Sequence, residues 1–111
     1  MDNRKNDAYY FSKSLEDIDI ITKYLGNASY EEFLSNEKTI DSIMFRFIHL
    51  AENIKAVSIE FKDEHPNIDW ADIVGFRNKI VHEYQNVDYT YVYDAIKYDL
   101  PSLRQLLEQY L

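Results

Sequence analysis

Cysteine is absent from the 111-residue chain, and glycine and proline occur only twice each. The lack of cysteine excludes disulfide bonds, a thiol nucleophile and Cys-ligated metal sites. The scarcity of glycine and proline argues against a linker or a disordered tail. No apolar run reaches the length of a membrane span, and the first residues do not lead into the apolar core of a signal peptide. We therefore expect one cytoplasmic domain over residues 1–111, without a metal or a cofactor.

Basic residues are also scarce. The chain has 12 Lys and Arg against 20 Asp and Glu, which gives a formal net charge of −8 at pH 7. This balance disfavours broad, non-specific binding to nucleic acids, because such binding needs a basic face. It leaves room for a small basic pocket that acts on RNA, and it suits a partner protein with a basic surface.

Helical periodicity is what the chain has in abundance. Apolar side chains recur three or four residues apart, and alternation at every second residue is rare. The spacing predicts a helix over about 7–25, a short helix capped by Ser29, a long helix from 37 to about 62 and a fourth from 69 towards 84. A last helix begins after the N-cap Asp88 and is kinked or divided by Pro101. The predicted fold is all-α, an antiparallel bundle of four main helices plus one short helix.

The long third segment carries two apolar stripes. One consists of Ile40, Ile43, Phe47, Leu50, Ile54, Val57 and Phe61, and the other of Met44, Ile48, Ala51 and Ile59. Two stripes on one helix predict burial on two sides. We favour a homodimer, because so short a chain has few other helices to cover both stripes. The alternative is a central helix within a single bundle.

Arg77 projects from the middle of an apolar arc on the fourth helix. An arginine there is costly unless a carboxylate or a phosphate meets its guanidinium, or unless its head reaches water. Glu52, which interrupts the apolar surface of the long helix, is the candidate carboxylate. A solvated Glu52 is the alternative.

His82 follows Arg77 by five residues, near the expected end of the same helix. A histidine can move protons at a phosphodiester while an arginine holds the phosphate, and Asn78 can orient either group. On a straight helix Arg77 and His82 point about 140° apart. They can converge only if the helix end unwinds or if two subunits contribute.

The motif Arg77-x4-His82-x-Tyr84 resembles the R-x4-H-x-Y signature of the HEPN superfamily, in its HepT-like (DUF86) branch. Its surroundings resemble the same branch in three blocks: Arg46 to Glu52, Pro66 to Asn78, and Tyr84-x-x-Val87-Asp88. These blocks span residues 46–88, and their combination is more specific than the short motif alone.

The resemblance implies a homodimeric helical bundle that is the toxin of a toxin–antitoxin pair, a metal-independent endoribonuclease that cleaves RNA. Arg77 and His82 would be catalytic and face their copies across a dimer cleft, with Asn78 and Glu52 in support. The antitoxin would be a minimal nucleotidyltransferase that AMPylates Tyr84. Two alternatives stay open: a non-catalytic subunit that presents a substrate or nucleotide to such a nucleotidyltransferase, and a purely structural, buried Arg77–Glu52 ion pair.

Overall fold

A computed structural model of the chain describes residues 6–82 and 84–111, with Tyr84 described by its backbone alone. These residues form α1 (Asp7–Leu25), α2 (Tyr30–Ser35), α3 (Glu37–Ala56), α4 (Ile59–Glu64), α5 (Trp70–His82), a 3-10 turn (Tyr84–Asn86), α6 (Tyr89–Asp94), a π-helical turn (Ala95–Asp99) and α7 (Leu100–Glu108). No strand occurs in the described ranges. The prediction of an all-α bundle is confirmed.

The core lies between α1 and α3, and α5 and α7 close it from two sides, α5 against α3 and α7 against α1. Its most deeply buried apolar side chains come from all parts of the chain: Ile18, Ile21, Phe33, Ile43, Leu50, Ile54, Val92 and Leu107. Because α1 and α5 both pack on it, helix α3 is the element that positions its neighbours. Among the described residues, no helix is both long and apolar enough to cross a membrane.

Local sequence signals fix several helix ends. Gly26 ends α1 with φ at 56°, a left-handed value that glycine adopts without strain. Ser29 and Glu32 form the reciprocal capping box that starts α2. The Asp88 carboxylate accepts from the backbone N–H groups of Thr90 and Tyr91 and so caps α6. These caps confirm the predictions made for Ser29 and Asp88.

The prediction of one helix from 37 to about 62 is wrong, because the chain breaks at Val57 and Ser58. Val57 is extended, with φ at −64° and ψ at 143°, and Ser58 caps the new helix α4. Buried Asp7 accepts from the Ser58 backbone N–H at 2.8 Å and from its hydroxyl at 2.6 Å. This contact from the far N-terminus stabilises a break that apolar spacing, which continues to Phe61, does not reveal.

Pro101 divides the last helix, as predicted. Proline has no N–H to donate to the carbonyl four residues earlier, so the regular ladder of hydrogen bonds is interrupted. The π-helical turn over Ala95–Asp99 lies immediately before it, and Pro101 occupies the first turn of α7. Val92, before this turn, and Leu107, after it, are both fully buried in the core.

Candidate functional site

Helix α5 packs on α3 along one side and is open along the other. Ile80 is buried, and the ring of Phe76 meets that of Phe47 at 5.3 Å between centroids. Val81, by contrast, is 45% exposed, and a Cβ placed on Gly75 would find no atom within 4 Å. The helix therefore presents a small and apolar surface that the described chain leaves uncovered.

Arg77 meets Glu52, as the sequence suggests. Its Nε lies 2.8 Å from Oε1 of Glu52. The two side chains are 32% and 51% exposed, so the alternative of a buried ion pair does not hold. The Nε–H bond does not point at the carboxylate, and Nε is buried without a hydrogen-bond acceptor among the described residues. Nη1 of Arg77 donates to Oδ1 of Asn78 at 3.1 Å. Two neighbours thus hold the guanidinium at the edge of α5.

His82 is exposed in the last turn of α5. Because the helix continues through His82 without unwinding, this side chain points about 140° away from Arg77. Within one copy of the chain the two groups do not converge. Tyr84 opens the 3-10 turn that follows; its side chain lies outside the described part of the structure. The structure therefore brings Glu52, Arg77 and Asn78 together and leaves His82 apart.

A second polar cluster, between α1 and α3, escaped prediction. Asp17 of α1 is only 1% exposed, and its carboxylate contacts three side chains of α3. Nη1 of Arg46 donates to it at 3.1 Å, and the amide of Asn53 donates at 2.8 Å. Nδ1 of His49 lies 2.8 Å and 3.0 Å from its two oxygens. A carboxylate beside the buried stripe of α1 was the available sequence signal for this cluster.

A cavity of about 360 Å³ lies between α5, α3 and the last helical segments, and both Phe47 and Phe76 line it. It is lined by apolar side chains and by three aspartates: Asp69, Asp72 and Asp99. The Tyr91 hydroxyl donates a short hydrogen bond to Asp72. Burial, followed by this hydrogen bond, raises the pKa of Tyr91. So acidic a lining is unsuited to a phosphate, and the cavity does not extend the Arg77 site.

The chemistry available at the Arg77 site is that of anion recognition. A guanidinium held by a carboxylate and an amide keeps further donors for a phosphate, which it can bind in a bidentate manner. An exposed imidazole at the end of the same helix can donate or accept a proton at a bound substrate. Together these groups suit a phosphodiester better than an uncharged substrate.

Fold and site thus define a helical-bundle protein with an anchored arginine and a free imidazole on one exposed helix. The chain belongs to the HepT-like family: the family model described as "Ribonuclease HepT-like" matches residues 14–110. That range includes all of α3 and α5, and with them Glu52, Arg77 and His82.

Two relatives illustrate the similarity. A Methanocaldococcus jannaschii protein, named as a candidate RNase, is 31% identical over 96 residues, which cover 86% of this chain and 78% of the relative. A Thermococcus cleftensis protein, named as a probable ribonuclease HepT, is 29% identical over 100 residues, which cover 90% and 91% of the two chains. No solved structure matches the chain significantly.

Proposed function

We propose that this chain, acting as one HepT-like domain, is a cytoplasmic endoribonuclease whose active site forms between two copies. The observation that carries the proposal is the guanidinium of Arg77, held 2.8 Å from Glu52 on an open helix that ends in His82. Membership in a family described by its ribonuclease likeness supplies the substrate class.

A dimer accounts for two features of α5 at once. Its uncovered surface includes Gly75, which permits close approach of another backbone, and, about 120° around the helix, the exposed apolar Val81. A second copy of α5 laid along this side would bring Arg77 of one subunit near the partner subunit's His82. That arrangement supplies the convergence that the 140° divergence denies to a single helix.

Cleavage would then proceed by general acid–base chemistry at the phosphodiester. Arg77 holds the phosphate and offsets the negative charge that grows on its oxygens. His82 transfers a proton at the 2'-hydroxyl or at the leaving 5'-oxygen. Neither step is assigned to a metal ion, so the proposed reaction continues in a chelator such as EDTA.

The decisive variant is His82→Ala, assayed on a fluorescently labelled RNA in EDTA. We expect cleavage to fall by about 10²–10⁴-fold, the usual contribution of a general acid or base. The dimer, measured by light scattering, is expected to persist because the change leaves Gly75 and Val81, the residues proposed to form the contact, in place. His65→Ala is the matched control, since His65 packs against Phe61 and Tyr110 near the start of α5, at the opposite end of that helix from His82. Equal cleavage by His82→Ala and the parent would contradict the assignment.

We further propose that this ribonuclease is the toxin of a toxin–antitoxin pair. The antitoxin would be a minimal nucleotidyltransferase, and Tyr84 would receive AMP from it. Tyr84 begins the turn directly after the helix of Arg77 and His82, so an adenylyl group there would bring bulk and negative charge to the cleft. Intact-mass spectrometry after co-expression tests this. Adenylylation of the parent and none of Tyr84→Phe is expected, and equal modification of both would refute the role of Tyr84.

A non-catalytic role remains the second candidate, and one observation favours it. The net charge of −8 is unfavourable for a protein that must attract RNA. In this alternative the dimer presents a substrate or nucleotide to a nucleotidyltransferase, and Arg77 merely anchors a phosphate. Expression of the chain alone separates the two: growth arrest with loss of RNA supports the ribonuclease, and harmless overproduction supports the binding subunit.

A further inference from the structure

We propose that Asp17 and His49 form a carboxylate–imidazole dyad in which His49 is a second proton-transfer group of the RNA-cleaving site. This inference rests on the proposed ribonuclease activity and adds a residue to it. The dyad joins α1 to α3, one helical turn from the carboxylate that holds Arg77.

The dyad has the geometry that fixes one tautomer of the ring. Nδ1 of His49 lies 2.8 Å and 3.0 Å from the two oxygens of Asp17. An ionised carboxylate can only accept, so Nδ1 must carry the proton and donate it. In the neutral ring Nε2 then holds the free lone pair, which is the atom that can take a proton from a substrate.

Asp17 is buried and fixed by several hydrogen bonds, unlike the partners in most surface contacts. It is 1% exposed and receives further hydrogen bonds from Arg46 at 3.1 Å and Asn53 at 2.8 Å. The His49 side chain, by contrast, is 50% exposed. A fixed carboxylate behind an open imidazole orients the ring and compensates the charge that the ring gains with a proton. A contact needed only to join two helices would not require the ring to remain open to solvent.

The position of His49 places it beside the Arg77 site. Residues three apart on a helix are neighbours, at about 5–6 Å between their Cβ atoms. His49 and Glu52 stand in this relation on α3, and Glu52 contacts Arg77 of α5 at 2.8 Å. The charged groups around the ring are Asp17 from α1, Arg46 and Glu52 on α3 itself and, through Glu52, Arg77 of α5. A phosphate bound by Arg77 would therefore lie next to the turn of α3 that carries His49.

The two imidazoles divide the reaction between them. Nε2 of His49 accepts the proton of the 2'-hydroxyl as the 2'-oxygen attacks phosphorus. The bond from phosphorus to the 5'-oxygen breaks, and the partner subunit's His82 gives that oxygen a proton. An imidazolium in the last turn of α5 faces the negative end of the helix dipole, which suits a proton donor. The products are a 2',3'-cyclic phosphate and a 5'-hydroxyl, and one proton is taken up for each one released.

His49→Asn tests the base while keeping the structural contact. The Asn amide nitrogen takes the place of Nδ1 and still donates to Asp17, whereas no atom replaces Nε2. We expect the urea midpoint of unfolding to stay close to the parent's and kcat to fall by about 100-fold or more, with KM little changed. The acidic limb of the pH profile of kcat/KM, which reports the base, is expected to disappear. His65→Asn, the same change at a histidine that contacts Tyr110, is the control. It should leave kcat and the pH profile of kcat/KM unchanged.

A second measurement uses the parent protein and does not depend on the variant. The ¹⁵N shifts of the His49 ring should show the tautomer with the proton on Nδ1, and the opposite tautomer would overturn the dyad. Parent-like kcat and pH profile in His49→Asn, with His82→Ala inactive, would refute the role of His49 and leave the ribonuclease intact. No RNA cleavage by the parent dimer would remove both proposals.

Discussion

Replacement of Glu52 by alanine should separate the positioning of Arg77 from the stability of the fold. The pair is half-exposed, with 51% of the Glu52 side chain and 32% of the Arg77 side chain in contact with solvent. Exposed ion pairs contribute about 0.2–1 kcal/mol, since water screens the charges and the side chains lose freedom. We therefore expect the free energy of unfolding in urea to fall by about 1 kcal/mol or less, which is only a few degrees in Tm.

Activity should respond far more strongly than stability. Without Glu52, the guanidinium of Arg77 keeps only its 3.1 Å contact to Asn78 and can leave its position. A misplacement of about 1 Å at a reacting group can cost about 100-fold in rate. We expect Glu52→Ala to cleave RNA about 10- to 100-fold more slowly than the parent. Glu52→Gln keeps an acceptor oxygen without the charge. Its rate of RNA cleavage should lie between those of Glu52→Ala and the parent.

Asp19→Ala is the matched control for Glu52→Ala. Asp19 lies 2.7 Å from Arg104 in an ion pair of similar exposure, which joins α1 to α7 and includes neither Glu52 nor Arg77. A similar small loss of stability with full activity is expected. Two results would refute the reasoning: Glu52→Ala as active as Asp19→Ala, or Glu52→Ala unfolded at ambient temperature.

Three further predictions concern the fold and its assembly. Asp7→Ala should lower the free energy of unfolding in urea by about 2–4 kcal/mol, because the buried Ser58 loses two charge-assisted hydrogen bonds. Gly75→Ala should stabilise an isolated α5 by about 0.5–1 kcal/mol, and Gly75→Leu should weaken the dimer in sedimentation experiments, whereas a monomeric protein would tolerate both. Burial and Asp72 raise the pKa of Tyr91, so the unfolded state loses that proton first as pH rises. The resulting stability is complete below about pH 10 and declines above it, and urea titrations should show a flatter decline for Tyr91→Phe.

Much of the fold could be predicted from local sequence signals. The bounds of α1 follow from its apolar spacing, and the caps at Ser29 and Asp88 follow from residue types that compete for orphan N–H groups. The break at Ser58 does not follow, because its partner Asp7 lies 51 residues away. Apolar spacing runs smoothly across the break, so only tertiary structure distinguishes one helix from two.

The candidate site divides in the same way. Glu52 and Arg77 could be paired from sequence, because each is a charge within an apolar surface. The half-exposure of the two side chains could not be predicted, since it depends on how closely α5 packs against α3. Asp17 and His49 are 32 residues apart in the sequence, and their contact depends on how α1 and α3 are aligned along each other. The relation between two copies of α5 lies beyond a single chain and stays a prediction.

The tie between the two ends of the chain bears on when the protein can become active. Arg104 reaches back 85 residues to Asp19, and α1 rests on α7. A ribosome adds about 5–20 residues per second, so α1 waits about 4–17 s for this support. The contact between α1 and α7 is therefore made only after α7 has been synthesised. Activity that depends on the complete bundle would therefore begin only after α7 has been made and has packed on α1.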